Sequence, residues 1–382
     1  MTGGVRVGDV RSALADASVI VCCGSGGVGK TTTAAVLGIE LAAIGKRVVV
    51  VTIDPAKRLA DALGVPGGLS NDPTQIELHP PFAGDGAGAG DGAGQLWAMM
   101  LDTRATFDGL VRANAPSPEQ AERILANSFY RNIAGALSGT QEYMAAERLH
   151  SLHADGRFDV VVVDTPPTRN ALDFLDAPAT LARFLDHPLF KLLMLPTRRG
   201  LKVLNVAAQP LLRTIGKVVG GEVLADAIAF FQAFDGMQTG FRRRADDVLT
   251  LLRSSTTRYV LVASPKLDTV DEARWFATKL SEQGLAVAAL IVNRSTPSFP
   301  KPLGRRRKVD AQLWANLDEL NATAAAERTQ LHPLLADVGS AAPVAWVPLL
   351  PGDVHDLTGL RQIQALLFAR ATGSPAGQPV GA

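Results

Sequence analysis

A short apolar strand that runs straight into a glycine-rich loop closed by lysine and threonine leaves a chain few folds to choose from. Residues 17–23 are such a strand, residues 24–33 read GSGGVGKTTT, and residues 31–44 carry apolar and small residues at helical spacing up to Gly45. Gly24 to Thr31 satisfies G-x-x-x-x-G-K-[ST]. Glycines let successive backbone N–H groups curl around an anion with no Cβ in the way. The helix that follows presents its N-terminus, whose free N–H groups and dipole favour negative charge. Such a loop holds phosphate, and the expected contacts are Gly26, Gly27, Val28, Gly29, Lys30, Thr31 and Thr32. Lys30 can reach the β- and γ-phosphates of a nucleotide, and the Thr31 hydroxyl can ligate Mg²⁺.

The remaining pattern predicts an α/β fold. Residues 47–53 (RVVVVTI) form a continuous β-branched run, the mark of a strand buried on both faces. Further strands are predicted at 96–101, 158–163, 259–263, 286–292 and 344–347, with helical patterns between them. That alternation implies a doubly wound, mostly parallel sheet with helices on both faces. Stretches at about 104–157 and 178–255 read as helical insertions into a single domain spanning about 1–370. Residues 83–94 (AGDGAGAGDGAG) are expected to be a surface loop, and residues 371–382 a disordered tail.

Two strands end in aspartate. RVVVVTI runs into Asp54-Pro55-Ala56-Lys57-Arg58, and FDVVVV into Asp164-Thr165-Pro166. In an open α/β sheet, ligands bind outside the carboxyl ends of the strands, so both carboxylates are expected in the crevice of the phosphate loop. Asp164 is placed to hold Mg²⁺ with Thr31, and Asp54 to orient or deprotonate an attacking water. Asp54 also suits a helix N-cap followed by proline at the first helical position, and the two roles are compatible.

Composition narrows the alternatives. The 382 residues carry 38 basic and 37 acidic side chains, so no global charge argues for nucleic acid or a membrane surface. The basic runs 242–244 and 305–308 read as solvated faces, and His150, His153 and His187 as surface or interface residues. No stretch is long and apolar enough for an integral membrane segment, and the first residues lack an apolar signal core. The only cysteines, Cys22 and Cys23, are neighbours on the first strand and point to opposite faces. They read as buried, reduced and structural in a cytoplasmic protein. Phe230, Phe234, Met237 and Phe241 form a stripe on one helix face, with a second apolar cluster over 181–194. Both are read as subdomain core or subunit interface, with a groove for a hydrophobic protein client as the alternative.

Taken together, these segments resemble the ArsA family of deviant P-loop ATPases, which includes arsenite-pump and tail-anchored-protein-targeting ATPases. SGGVGKTTTA resembles the family's phosphate loop, IDPAKRLADALG its first switch and FDVVVVDTPPTRNALDFLDAP its second. The segment ending in VNR resembles a strand–helix–strand unit whose asparagine, here Asn293, contacts adenine. VPLLPGDVHDLTGL resembles the closing adenine loop, with Pro348 at the contact. The resemblance implies Mg²⁺-dependent ATP hydrolysis in a homo- or hetero-dimer of related chains, with Lys30 on phosphate, Thr31 and Asp164 on Mg²⁺, and Asp54 on water. It also implies coupling of nucleotide state to a partner or client. The departures matter too. Ser25 stands where the family carries a second lysine that reaches the other subunit's nucleotide. Lys57 and Asn170 replace switch histidines, Arg169 replaces a glycine, and the family's zinc-binding CxxC is absent. Ser25 is then explained by a partner chain that supplies the lysine, by slow hydrolysis as in a weakly active regulatory subunit, or by another basic residue in its place, with Arg169 as the candidate.

Overall fold

A computed structural model describes residues 10–54, 57–78, 94–133, 140–166, 236–300, 311–339 and 342–368, together with 222, 225–226, 229–230 and 233. The two compact units of the chain are Met1–Met100 with Asp155–Leu172 and Ser255–Ala382, and Leu101–Ala154 with Asp173–Ser254. The loop over 83–93, the tail, Arg169, Asn170, the 181–194 cluster, Phe234, His187 and the basic run 305–308 lie outside the described residues.

The first unit is built on a sheet. Its strands are β1 (Val19–Cys23), β2 (Arg47–Thr52), β3 (Thr74–Ile76), β4 (Gln95–Met100), β5 (Val160–Asp164), β6 (Thr257–Ala263), β7 (Val287–Ser295) and β8 (Val344–Pro348). They lie side by side in the order β3-β4-β2-β5-β1-β6-β7-β8. Among the described residues only the β3–β4 pairing is antiparallel. Val48–Val51 of β2 and Val160–Val163 of β5 are all essentially inaccessible. A strand flanked by strands and covered on both faces has no place for a polar side chain, which is why these segments are unbroken valine. β3 was not foreseen; three residues on an edge carry too little alternation to register as a strand.

The helices of this unit are α1 (Val10–Leu14), α2 (Lys30–Ala43), α3 (Arg58–Ala62), α9 (Leu267–Glu282), α10 (Ala311–Val338) and α11 (Leu357–Phe368), numbered in chain order with those of the second unit. β1 lies between β5 and β6, so the chain leaves the sheet centre in both directions from this strand. The phosphate loop between β1 and α2 therefore opens at the point where the strand order reverses.

The second unit is helical: α4 (Thr103–Asn114), α5 (Pro118–Ala126), α6 (Ser128–Ile133), α7 (Thr140–Ala154) and α8 (Gln238–Leu252). Asp102 caps α4 by accepting from the Ala105 N–H at 2.9 Å, and Ser117 caps α5 with Pro118 in its first turn. Its core joins Leu110, Val111, Ile124 and Tyr130 to Phe230, Met237 and Phe241. Phe107 stacks on Tyr130 and meets Phe241 edge-on. The described part of the aromatic stripe thus faces inward, as the core reading expects.

α7 also buries charge. The Arg244 Nε donates to Glu147 Oε1 at 2.6 Å, while the buried Glu147 Oε2 has no partner. Burial pushes the Glu147 carboxyl from 4.5 up to about 7, against the pull of Arg244. Because the folded value lies above the unfolded one, the contribution of Glu147 to stability is complete below about pH 4.5. It is lost as pH rises through about 7. The stability of the wild-type chain relative to E147Q should therefore fall by an order of 1–3 kcal/mol between pH 5 and 8. Thermal melts of both proteins across that range check it.

Candidate nucleotide site

The site sits at the carboxyl ends of the central strands of the first unit. Gly24 is required by packing: a Cβ there would lie 2.1 Å from the Val262 carbonyl oxygen of the neighbouring β6. Gly29, at φ 96, occupies the left-handed region and immediately precedes α2. The Lys30 ammonium folds back across the loop and donates to the carbonyls of Gly24 at 3.0 Å and Ser25 at 2.8 Å. Burial lowers the Lys30 ammonium below the usual lysine range, and the nearby Asp164 carboxylate acts in the opposite direction.

Asp164 ends β5 and is 1% exposed. Its Oδ2 accepts from the Thr31 hydroxyl at 2.7 Å and the Thr52 hydroxyl at 3.0 Å. Its Oδ1 is buried with no partner. Burial raises the Asp164 carboxyl above the usual carboxylate range, while the two hydroxyls and Lys30 pull it back and Asp54 adds to the rise. Among the described residues no group of three or more His, Cys, Asp or Glu side chains forms a metal cage. A magnesium ion needs no such cage, since it takes one or two protein oxygens and completes its shell with phosphate oxygens and water. The Thr31 hydroxyl and an orphaned carboxylate oxygen beside it are hard donors of that kind, so these residues fit the ion.

Asp54 follows β2. Its backbone N–H donates to the Thr52 hydroxyl at 3.3 Å, and its carboxylate faces the Arg58 guanidinium at 3.7 Å. Thr52 therefore ties the two acidic strand tips together, accepting from Asp54 and donating to Asp164. Sequence reading missed it, because a threonine that ends a run of valines looks like one more β-branched strand residue. Thr165 was also missed; its hydroxyl donates to the Cys22 carbonyl at 2.7 Å and anchors β5 to β1.

A cavity of about 1130 Å³ opens over these groups. Gly26, Gly27, Val28, Gly29, Lys30, Thr31, Thr32, Asp54, Asn293 and Pro348 all line it. Asp164 lies below it, reached through Thr31. Lys266, Arg294, Glu327 and His355 add polar groups to the wall, and no motif in the sequence had singled them out. Ser25 is 4% exposed, does not line the cavity, and keeps a hydroxyl without a partner. Cys22 and Cys23 are buried, and burial pushes the Cys23 thiol up to about 12, so both thiols stay protonated. Among the described residues no helix is long and apolar enough to cross a membrane.

A phosphate loop between a central parallel strand and a helix, with a buried lysine and a strand-end aspartate bonded to the loop threonine, defines a P-loop nucleotide-binding enzyme. Over residues 17–368 the sequence matches the anion-transporting ATPase (ArsA ATPase) family, and the chain belongs to it: it is an ATP-binding ATPase. It is similar to the ATPase GET3 of Malassezia globosa, 26% identical over 284 residues, 74% of this chain and 73% of that protein. The ATPase get3 of Aspergillus terreus is 26% identical over 309 residues, 78% of this chain and 80% of the relative. Protein Rv2184c of Mycobacterium tuberculosis is 34% identical over 179 residues, 45% of this chain and 40% of that protein.

Proposed function

We propose that the chain is a Mg²⁺-dependent ATP-hydrolysing subunit that works as a dimer with a copy of itself or a related chain. Its nucleotide state is coupled to a protein partner, in one ATPase domain over about 1–370 with a helical insertion. The observation that carries this reading is the convergence of Lys30, Thr31 and Asp54 on one cavity that Asn293 and Pro348 also line. In this reading Asn293 and Pro348 contact adenine at one end and the loop amides grip the triphosphate at the other. Lys30 moves part of its hydrogen bonding from the Gly24 and Ser25 carbonyls to phosphate oxygens and offsets charge as the terminal phosphate departs. Asp54 accepts a hydrogen bond from the attacking water and takes its proton. Thr52 and Arg58 hold Asp54 in place for that role. Thr31 and Asp164 would hold Mg²⁺, which would supply charge neutralisation for the phosphates when bound.

The family resemblance, which takes in tail-anchored-protein-targeting ATPases, supports a client-coupled reading. Phe230, Met237 and Phe241 are core residues, so a hydrophobic client would be held elsewhere on the insertion. A cytoplasmic location belongs to this reading, and the free, buried Cys22 and Cys23 fit a reducing compartment.

Ser25 favours a second reading, a regulatory subunit of low activity. Its neutral, buried side chain brings no charge to a neighbouring site. Phosphate release decides between the two. The isolated chain should hydrolyse ATP slowly. Adding a related chain whose loop carries the second lysine should accelerate release by about 10²-fold or more, the worth of one transition-state cation. Tight ATP binding with no release under either condition supports the regulatory reading, and absence of ATP binding overturns both.

A further inference from the structure

β7 does not end where its apolar run does. It continues through Asn293 to Ser295, and its pairing with β8 shifts register between Val292 and Ser295. Within that irregularity Arg294 sits at φ 59, the only non-glycine residue with positive φ among those described. Such irregularities re-aim side chains and persist where the surroundings require them. At this irregularity the Arg294 N–H donates to the Asn293 Oδ1 at 2.9 Å, and the Asn293 Nδ2 donates to the Val28 carbonyl at 2.8 Å. Only an oxygen can face an N–H and only a nitrogen can face a carbonyl, so the two bonds fix the amide in one orientation. Asn293 is 9% exposed, and a Cβ on Gly29 would lie 2.3 Å from its Nδ2. The amide group is packed against the phosphate loop itself.

From this contact we infer that Asn293 is a positioning residue that presets the phosphate loop. Val28 lies between Gly27 at φ 74 and Gly29 at φ 96. The Val28–Gly29 peptide turns about ψ of Val28 and φ of Gly29, and glycine on that second side widens the range it can reach. Rotated one way, that peptide offers the Gly29 N–H to a phosphate; rotated the other way, it offers the Val28 oxygen, which would repel one. In a trans peptide the C=O and N–H point in opposite directions. By holding the Val28 carbonyl toward its own amide, Asn293 turns the Gly29 N–H away from itself, and Gly29 lines the cavity. The second Nδ2 hydrogen and the second Oδ1 lone pair are left for a base, so one side chain can touch adenine and brace the triphosphate cradle. Gly29 is then needed for two reasons, its left-handed φ and the room it leaves for this amide.

The inference rests on the ATP-binding reading, and the test separates the two. Binding of Mg·ATP and of magnesium tripolyphosphate, which has no base, is measured by calorimetry on the full chain and on N293A. A brace predicts that N293A weakens tripolyphosphate about five- to tenfold, for one lost buried hydrogen bond, and ATP by at least that factor, since the base contact is lost with it. A residue that only reads the base predicts loss confined to ATP, and that result overturns the brace. Unchanged affinity for both ligands overturns it as well. So does a wild-type chain that binds ATP but not tripolyphosphate, because a preset cradle grips the base-free triphosphate. A wild-type chain that binds neither refutes the ATP-binding reading itself. Should N293A fail to fold, N293S, which keeps a neutral polar side chain too short to reach the Val28 carbonyl, carries the same comparison.

Discussion

Asp54→Asn is expected to lower ATP turnover by about 10²–10⁴-fold while Mg·ATP affinity changes by no more than a few-fold. The amide keeps the size of the side chain but accepts a water proton poorly, so the loss falls on turnover rather than on binding. Asp54 is 19% exposed at the cavity wall, with its backbone fixed by Thr52 and its carboxylate facing Arg58. The substitution removes one ion pair across 3.7 Å at a partly exposed site, which contributes little to stability. Single-turnover phosphate release together with calorimetry separates the two quantities. Unchanged turnover would remove Asp54 from the chemistry; it is not the cap of α3 that the sequence suggested, since that helix begins at Arg58 with Lys57 at its N-cap.

The second large effect is expected at Lys30. Lys30→Ala should lower turnover by about 10²–10³-fold and largely abolish the rise in melting temperature that Mg·ATP gives the wild type. The stability of the ligand-free chain should move far less. Loss of the ammonium strips the Gly24 and Ser25 carbonyls of a donor, but it also removes the cost of burying a charge. Arginine should not rescue the variant. The pocket holds a point charge between two carbonyls of one loop, and a planar fork does not fit that geometry. Thermal melts with and without Mg·ATP, alongside phosphate release, check both parts. A ligand-induced shift equal to that of the wild type would contradict the placement of the triphosphate over Lys30.

What the sequence made legible follows from where its constraints are local. The seven longer strands announced themselves because strands buried on both faces, such as β2 and β5, are almost pure valine. The phosphate loop and the two strand-end aspartates were readable because rules of spacing and topology place them at one edge of a parallel sheet. β3 escaped because three edge residues carry no pattern. The roles of Thr52 and Thr165 escaped because they rest on hydrogen bonds between β2, β5 and β1. The register of neighbouring strands sets those bonds, and no spacing in the chain encodes it. Asn293 was visible only through resemblance. Its contact with Val28 spans 265 positions and lies beside a left-handed turn at an arginine, which propensity argues against.

The central claim is that the loop amides, Lys30, Thr31, Asp164 and Asp54 surround one magnesium–triphosphate group. A crystal structure of the chain with Mg²⁺ and a non-hydrolysable ATP analogue tests it most directly. The account predicts the metal at about 2.0–2.1 Å from the Thr31 hydroxyl. It places the Asp164 carboxylate on that metal or on one of its waters, and the terminal phosphate between Lys30 and Asp54. A triphosphate bound outside this cavity, or a metal held by neither Thr31 nor Asp164, would contradict it.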